Sequence, residues 1–135
     1  NIPAKLRVIF YRKLMFRIAE IIAHKEDAKG IVTGESFAQV ASQTANNICA
    51  IQDGINLHVY KPLLACDKED IVKMARELVT LTISELPCKD VCTMVTPDHP
   101  EIKAKIPEIR EVEANVAMED LVQEAFQNMK LEYFD

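Results

Sequence analysis

The stretch IVTGESFAQVASQT, residues 31–44, passes from a short apolar run through a single glycine into a polar segment without charge. From Ser36 to Gln52 there is no Asp, Glu, Lys, Arg or His, although 27% of the chain is charged. GIVTG, residues 30–34, reads as a strand between two glycines. Residues 39–54, QVASQTANNICAIQDG, read as a helix closed by Asp53 and Gly54. On that helix Val40, Thr44, Ile48 and Ile51 share one side, and Gln39, Ser42, Gln43 and Asn46 share another. Gly34 then falls where a strand ends and its helix begins. There a backbone without a side chain approaches a ligand most closely, and the helix N-terminus offers free N–H groups to an anion. Uncharged amides and hydroxyls suit a base, a ribose or a partner chain in a partly dry place. They equally suit packing beneath the carboxy-terminal segment. A lone glycine is neither a GxGxxG fingerprint nor a Walker loop.

Working outward, residues 5–25 read as a helix, with Ile9, Leu14, Ile18, Ile21 and Ile22 forming an apolar stripe. EDAKG ends it, with Gly30 as a turn residue. NLHVYKPLL supplies a second strand, broken at Pro62. DKEDIVKMARELV is a third helix with Asp67 as N-cap, Asp70 at the capping-box position, and Ile71, Met74, Ala75 and Leu78 as its buried face. Helix and strand alternate, which argues for an α/β fold: a parallel sheet flanked by helices. Two strands make a poor sheet, so the pattern reads as part of a larger domain, or as an oligomer such as a homodimer completing the edge. From Leu86 to Ile109 four prolines and two cysteines read as a loop. A last helix follows with Leu121, Val122, Ala125, Phe126 and Met129 on one face, and KLEYFD is a candidate terminal strand.

The 135 residues suffice for one domain or part of one, and a start at Asn1 reads as a processed, trimmed or excised piece. No apolar run reaches the length of a membrane span. The net charge of −5 is uneven, since Lys5, Arg7, Arg12, Lys13 and Arg17 fall in residues 1–19 with no acid among them. That basic strip is either a phosphate or nucleic-acid contact or a solvated helix face. Four cysteines without a secretory signal point to a reducing, cytoplasmic setting and away from structural disulfides. Cys88 and Cys92 lie in the proline-rich loop, with His99 nearby. The spacing C-x3-C-x6-H is off-pattern for zinc and lacks a fourth ligand. An exposed reactive thiol, with Lys89 as a cationic neighbour, and a small apolar filler are the other readings. Cys49 and Cys66 fit the filler reading better.

Four segments in order, YRKLMFRIAEIIA, VTGESFAQVASQT, KPLLACDKEDIVKMAREL and LPCKDVCTMVTPDHP, closely resemble ThiI-type tRNA 4-thiouridine synthases over about Ile2 to Pro100. The resemblance implies a PP-loop ATP pyrophosphatase fold, also called adenine nucleotide alpha hydrolase-like. Residues 1–100 would be its carboxy-terminal half and residues 101–135 a helical tail. It implies ATP (with Mg²⁺) as cosubstrate, tRNA as acceptor, and a persulfide donor such as a cysteine desulfurase. The same family supplies sulfur to the thiamine thiazole. It further implies that Arg12, Gly34 and Gln43 contact ATP, and that Cys92, with Cys88 as second choice, is the sulfur nucleophile. Cys88 is then a resolving thiol, or the pair helps to hold an iron–sulfur cluster as in some archaeal relatives. The family's SGGxDS loop is absent from these residues, as is the THUMP-bearing region. The expectation is therefore an incomplete enzyme that alone acts, at most, as a nucleotide- or tRNA-binding or assembly module.

Overall fold

The computed structural model describes residues 2–37, 40–87 and 96–133. A single-turn 3-10 helix at Ala4–Leu6 leads into α1, Arg7–Lys25. Then follow β1 (Gly30–Val32), a 3-10 turn at Ala41–Gln43, α2 (Ala45–Gln52), β2 (His58–Tyr60), α3 (Lys68–Glu77) and α4 (Leu81–Ser84). Helices α5 (Ile106–Glu113) and α6 (Met118–Gln127) complete the described chain. β1 and β2 are parallel, with Gly30, Ile31 and Val32 opposite His58, Val59 and Tyr60. The expected parallel sheet flanked by helices is thus present, with two strands among the described residues.

Several boundaries follow from local chemistry. α1 stops at Asp27, whose φ of 52° is left-handed, a conformation that Asp tolerates better than most residues. Gly30 is a strand residue and not the expected turn. A Cβ there would lie 2.8 Å from the His58 carbonyl oxygen and 2.6 Å from the Tyr60 ring, so only glycine lets the strands close. Asp67 caps α3 by accepting from the Asp70 amide at 2.9 Å, as its sequence predicts. α5 lies inside the segment expected to be a loop. Its proline is in the first turn, where the missing N–H costs nothing, so Pro107 starts the helix. The tail's last residues, up to Tyr133, form no strand.

The core is built on α1. Leu6, Ile9, Phe10 and Phe16 meet Ala50 and Ile51 from α2 and Ala104, Ile109, Met118 and Val122 from the tail. Of the expected α6 face, Val122 is buried and Leu121 is exposed; Met118, one turn earlier, takes the inner place. The expected buried face of α3 is only partly covered. Ile71, Met74 and Ala75 are half-buried, no residue of α3 is fully buried, and Leu78 is 73% exposed. Its main neighbour among the described elements is the short α4.

Polar groups fasten the tail to this core. Asn47 is fully buried. Its amide nitrogen donates to the carbonyls of Ala41 at 2.8 Å and Glu101 at 2.6 Å, and its oxygen accepts from the Ala104 amide at 3.0 Å. The basic strip of residues 1–19 is largely spent on acids of the same chain. Lys5 pairs with Glu101 and Glu108, and Arg12 with Glu35. Lys13 pairs with Glu113, and Arg17 with Glu113 and Glu119. Four of its five basic residues are thus paired within the chain, and Arg7 is exposed. Lys13 is buried and donates to the Asp53 carbonyl at 2.7 Å; burial lowers its pKa and Glu113 offsets part of that.

Asn47→Ala removes three bonds and strands two carbonyls and an amide, so it should cost about 3 kcal/mol in urea denaturation. The Arg110 guanidinium holds the Asp53 carboxyl below its ordinary 3.8. The Lys103 amide, and then Lys5, hold Glu101 below its ordinary 4.5. Both contributions are present above those ordinary values and fade as pH falls through the lowered ones. Thermal unfolding should therefore show stability declining below pH 4.5, and Asp53→Asn with Glu101→Gln should flatten that decline.

Candidate functional site

The loop after β1 and the loop after β2 are stitched together at the carboxyl ends of the two strands. The Thr33 amide donates to the Tyr60 carbonyl at 2.9 Å and the Phe37 amide to the Leu64 carbonyl at 3.1 Å. The buried Ser36 hydroxyl donates to the Cys66 carbonyl at 2.8 Å. These bonds hold Gly34 and Glu35 in an irregular segment. The expected helix does not begin here; α2 starts only at Ala45, capped by Thr44, which accepts from the Asn47 amide at 3.3 Å. The helix N-terminus expected directly behind Gly34 is therefore not found among the described residues.

Glu35 is the centre of that group. Its side chain is 2% exposed, an arrangement a carboxylate tolerates only when paired. One oxygen accepts from Arg12 Nη2 at 2.6 Å. The other accepts from the Thr33 hydroxyl at 3.2 Å and faces Lys61 Nζ at 3.9 Å. Arg12 also donates through Nη1 to the buried Ser42 hydroxyl at 3.0 Å. The two cations outnumber the one carboxylate, so the cluster carries a formal surplus of one positive charge. Arg12 donates through two of its N–H groups in these bonds.

The three residues expected to contact ATP are therefore neighbours. Arg12 is bonded to Glu35, the residue after Gly34, and to Ser42, the residue before Gln43. Gly34 is exposed, its φ is not left-handed, and a Cβ built on it meets nothing within 4 Å. Nothing among the described residues requires glycine there. Gln43 is half-buried, ends the 3-10 turn, and makes no side-chain hydrogen bond with a described residue. Burial explains two further members of the neutral run. Ser42 and Asn47 are inside, where an uncharged hydrogen-bonding group costs less than an ion. Gln39, Cys88 and Cys92 lie outside the described residues.

Sequence reasoning missed Glu35 and Lys61. A signal existed: one acid beside the glycine of an otherwise neutral stretch, with a lone arginine expected nearby. An apolar groove of about 370 Å³ along α1 and α6, lined by Ile2, Phe10, Tyr11, Leu14, Met118 and Leu121, shares no residue with this cluster. Among the described residues no three His, Cys, Asp or Glu side chains form a metal-binding group. No described helix is long and apolar enough to cross a membrane.

Known proteins resemble the chain along nearly all its length. The family model for the thiamine biosynthesis protein ThiI matches residues 1–118. A protein named "Probable tRNA sulfurtransferase" from Moorella thermoacetica is 40% identical over 131 residues, 97% of this chain and 34% of that protein. The protein of the same name from Thermus thermophilus is 42% identical over 120 residues, 89% of this chain and 30% of its own length. A solved complex of a 4-thiouridine synthetase with RNA and bound ATP superposes with a TM-score of 0.87 at 37% identity, covering 97% of this chain and 34% of that one. The chain thus spans about a third of the length of the relatives it matches.

Gly30 and Gly34 should respond very differently to alanine. Gly30→Ala should cost about 2 kcal/mol in urea denaturation by prising the strands apart. Gly34→Ala should stay within about 0.5 kcal/mol of the parent, since its Cβ enters open space.

Proposed function

The chain belongs to the ThiI family, and from that premise we propose that it is part of an ATP-dependent tRNA sulfurtransferase that makes 4-thiouridine. The observation that carries this reading is the junction of Arg12, Gly34 and Gln43 through Glu35 and Ser42 at the strands' carboxyl ends. In open α/β sheets that is where nucleotides bind. Residues 1–100 act as the carboxy-terminal half of the PP-loop domain, and residues 101–135 as a tail that buttresses α1.

In this reading Arg12 holds triphosphate oxygens through its free N–H groups, Gly34 lets the nucleotide lie against bare backbone, and the Gln43 amide bonds its polar edge. The uridine carbonyl oxygen attacks the α-phosphorus and pyrophosphate leaves, giving an adenylated uridine. The terminal sulfur of a Cys92 persulfide then attacks the activated ring carbon, and AMP departs with the former carbonyl oxygen. Cys88 resolves the resulting Cys92–S–S–carbon linkage by attacking Cys92 sulfur. The thiolated uridine is released, and the two cysteines are left as a disulfide for a thiol reductant. In-line placement and compensation of phosphate charge supply most of the rate. Mg²⁺ accompanies ATP. Glu35 is already committed to Arg12 and Lys61 and offers the ion no free carboxylate. A cysteine desulfurase is the persulfide donor, the cytoplasm the compartment, and the thiamine thiazole a second destination for the sulfur.

A second reading is favoured by the incompletely covered apolar stripe of α3, where no residue is fully buried among the described residues. By itself the chain is then a binding or assembly module, and chemistry needs the SGGxDS-bearing half. Complementation separates the two. The chain alone should bind ATP without thiolating tRNA, and adding the amino-terminal two-thirds of a relative should restore thiolation. In the complemented protein Cys92→Ser should abolish sulfur transfer and leave tRNA adenylation intact. Thiolation surviving that change would remove Cys92 as nucleophile. Arg12→Ala should weaken ATP binding in calorimetry, and unchanged binding would exclude a phosphate contact there.

A further inference from the structure

We infer that Glu35 is a positioning residue that holds Arg12 and Lys61 side by side as a cation pair for the triphosphate. The inference rests on the nucleotide reading of the same site and adds two residues to it. The two cations come from different elements, Arg12 from α1 and Lys61 from the residue after β2. Neither has another acid within ion-pair distance among the described residues. Like charges this close repel, and the shared buried carboxylate is what keeps them together.

The geometry separates this role from plain structural glue. Glu35 grips Arg12 closely, at 2.6 Å, and leaves Lys61 looser, at 3.9 Å. Lys61 has three ammonium donors and no described hydrogen bond, although its side chain is only 12% exposed. Arg12 is fixed on a second side by Ser42. The pair keeps a net positive charge and unused donors beside the open backbone at Gly34. An incoming polyphosphate therefore meets cations already aligned, and neither long side chain has to be immobilised on binding.

The test is calorimetry of the complemented protein with ATP and, separately, with adenosine, which has no phosphates. Glu35→Gln should weaken ATP binding about tenfold, the scale of a charge-assisted hydrogen bond, and leave adenosine binding unchanged. Lys61→Ala should weaken ATP binding without touching adenosine. Arg12→Ala combined with Glu35→Gln should bind ATP no more weakly than the worse single variant, because one acts through the other. Unfolding midpoints identify any variant that fails to fold. If Glu35→Gln does so, Glu35→Asp and Lys61→Ala carry the comparison. Unaltered ATP affinity in Glu35→Gln, equal losses for ATP and adenosine, or additive effects of Arg12 and Glu35 would each overturn the inference while leaving the nucleotide site standing. Unaltered ATP affinity in Arg12→Ala, Lys61→Ala and Gly34→Ala together would remove the site itself.

Discussion

A carboxylate almost wholly removed from water must find compensating charge close by, and Glu35 finds it in Arg12. That requirement organises the carboxyl ends of both strands. To reach Glu35, Arg12 must project from α1 over the loop after β1, where Ser42 is its other partner. Lys61 must enter from the loop after β2. The strands' own hydrogen bonds do not demand these arrangements, because three-residue strands make short ladders. The ion cluster together with the Ser36–Cys66 bond gives the two loops a common, defined position.

The opposite side of α1 solves a different problem by similar means. A tail without a strand must attach to a helix whose near end is rich in lysine and arginine. It does so by placing Glu101, Glu108, Glu113 and Glu119 against Lys5, Lys13 and Arg17. The exposed pairs of Lys5 contribute little to stability individually, whereas the buried Lys13 needs its partner. Their effect is to set the register in which Ile109, Met118 and Val122 reach the apolar face of α1. Asn47 adds a buried, fully satisfied set of hydrogen bonds at the same seam. Among the described residues the stripe on α3 is covered only in part, chiefly by α4. This agrees with a polypeptide spanning about a third of its relatives.

Much of the architecture was legible from periodicity and caps. α1, α3 with its Asp67 cap, the parallel strand pair and the last helix appear close to where spacing places them. Misreadings arose where local preference and tertiary demand diverge. Pro107 looks like a loop residue until its place in a first turn is known. Gly30 looks like a turn residue until the Tyr60 ring is set against it. The neutral polar run looks like one amphipathic helix, whereas half of it is a loop and a 3-10 turn. Ser42 and Asn47 are uncharged there because they are inside.

From sequence alone came the alternation of helix and strand, the family, and the three residues Arg12, Gly34 and Gln43. Each rests on local order along the chain: repeat spacing, capping residues, and motif identity. The tertiary structure alone decided that Arg12 is shared between Glu35 and Ser42, that Lys61 joins them, and that Lys5, Lys13 and Arg17 pair with acids of the tail. These are contacts between residues 23 to 103 positions apart. Charge and hydrogen-bond compensation across such separations depend on which surfaces the fold brings together, and linear spacing carries no record of that.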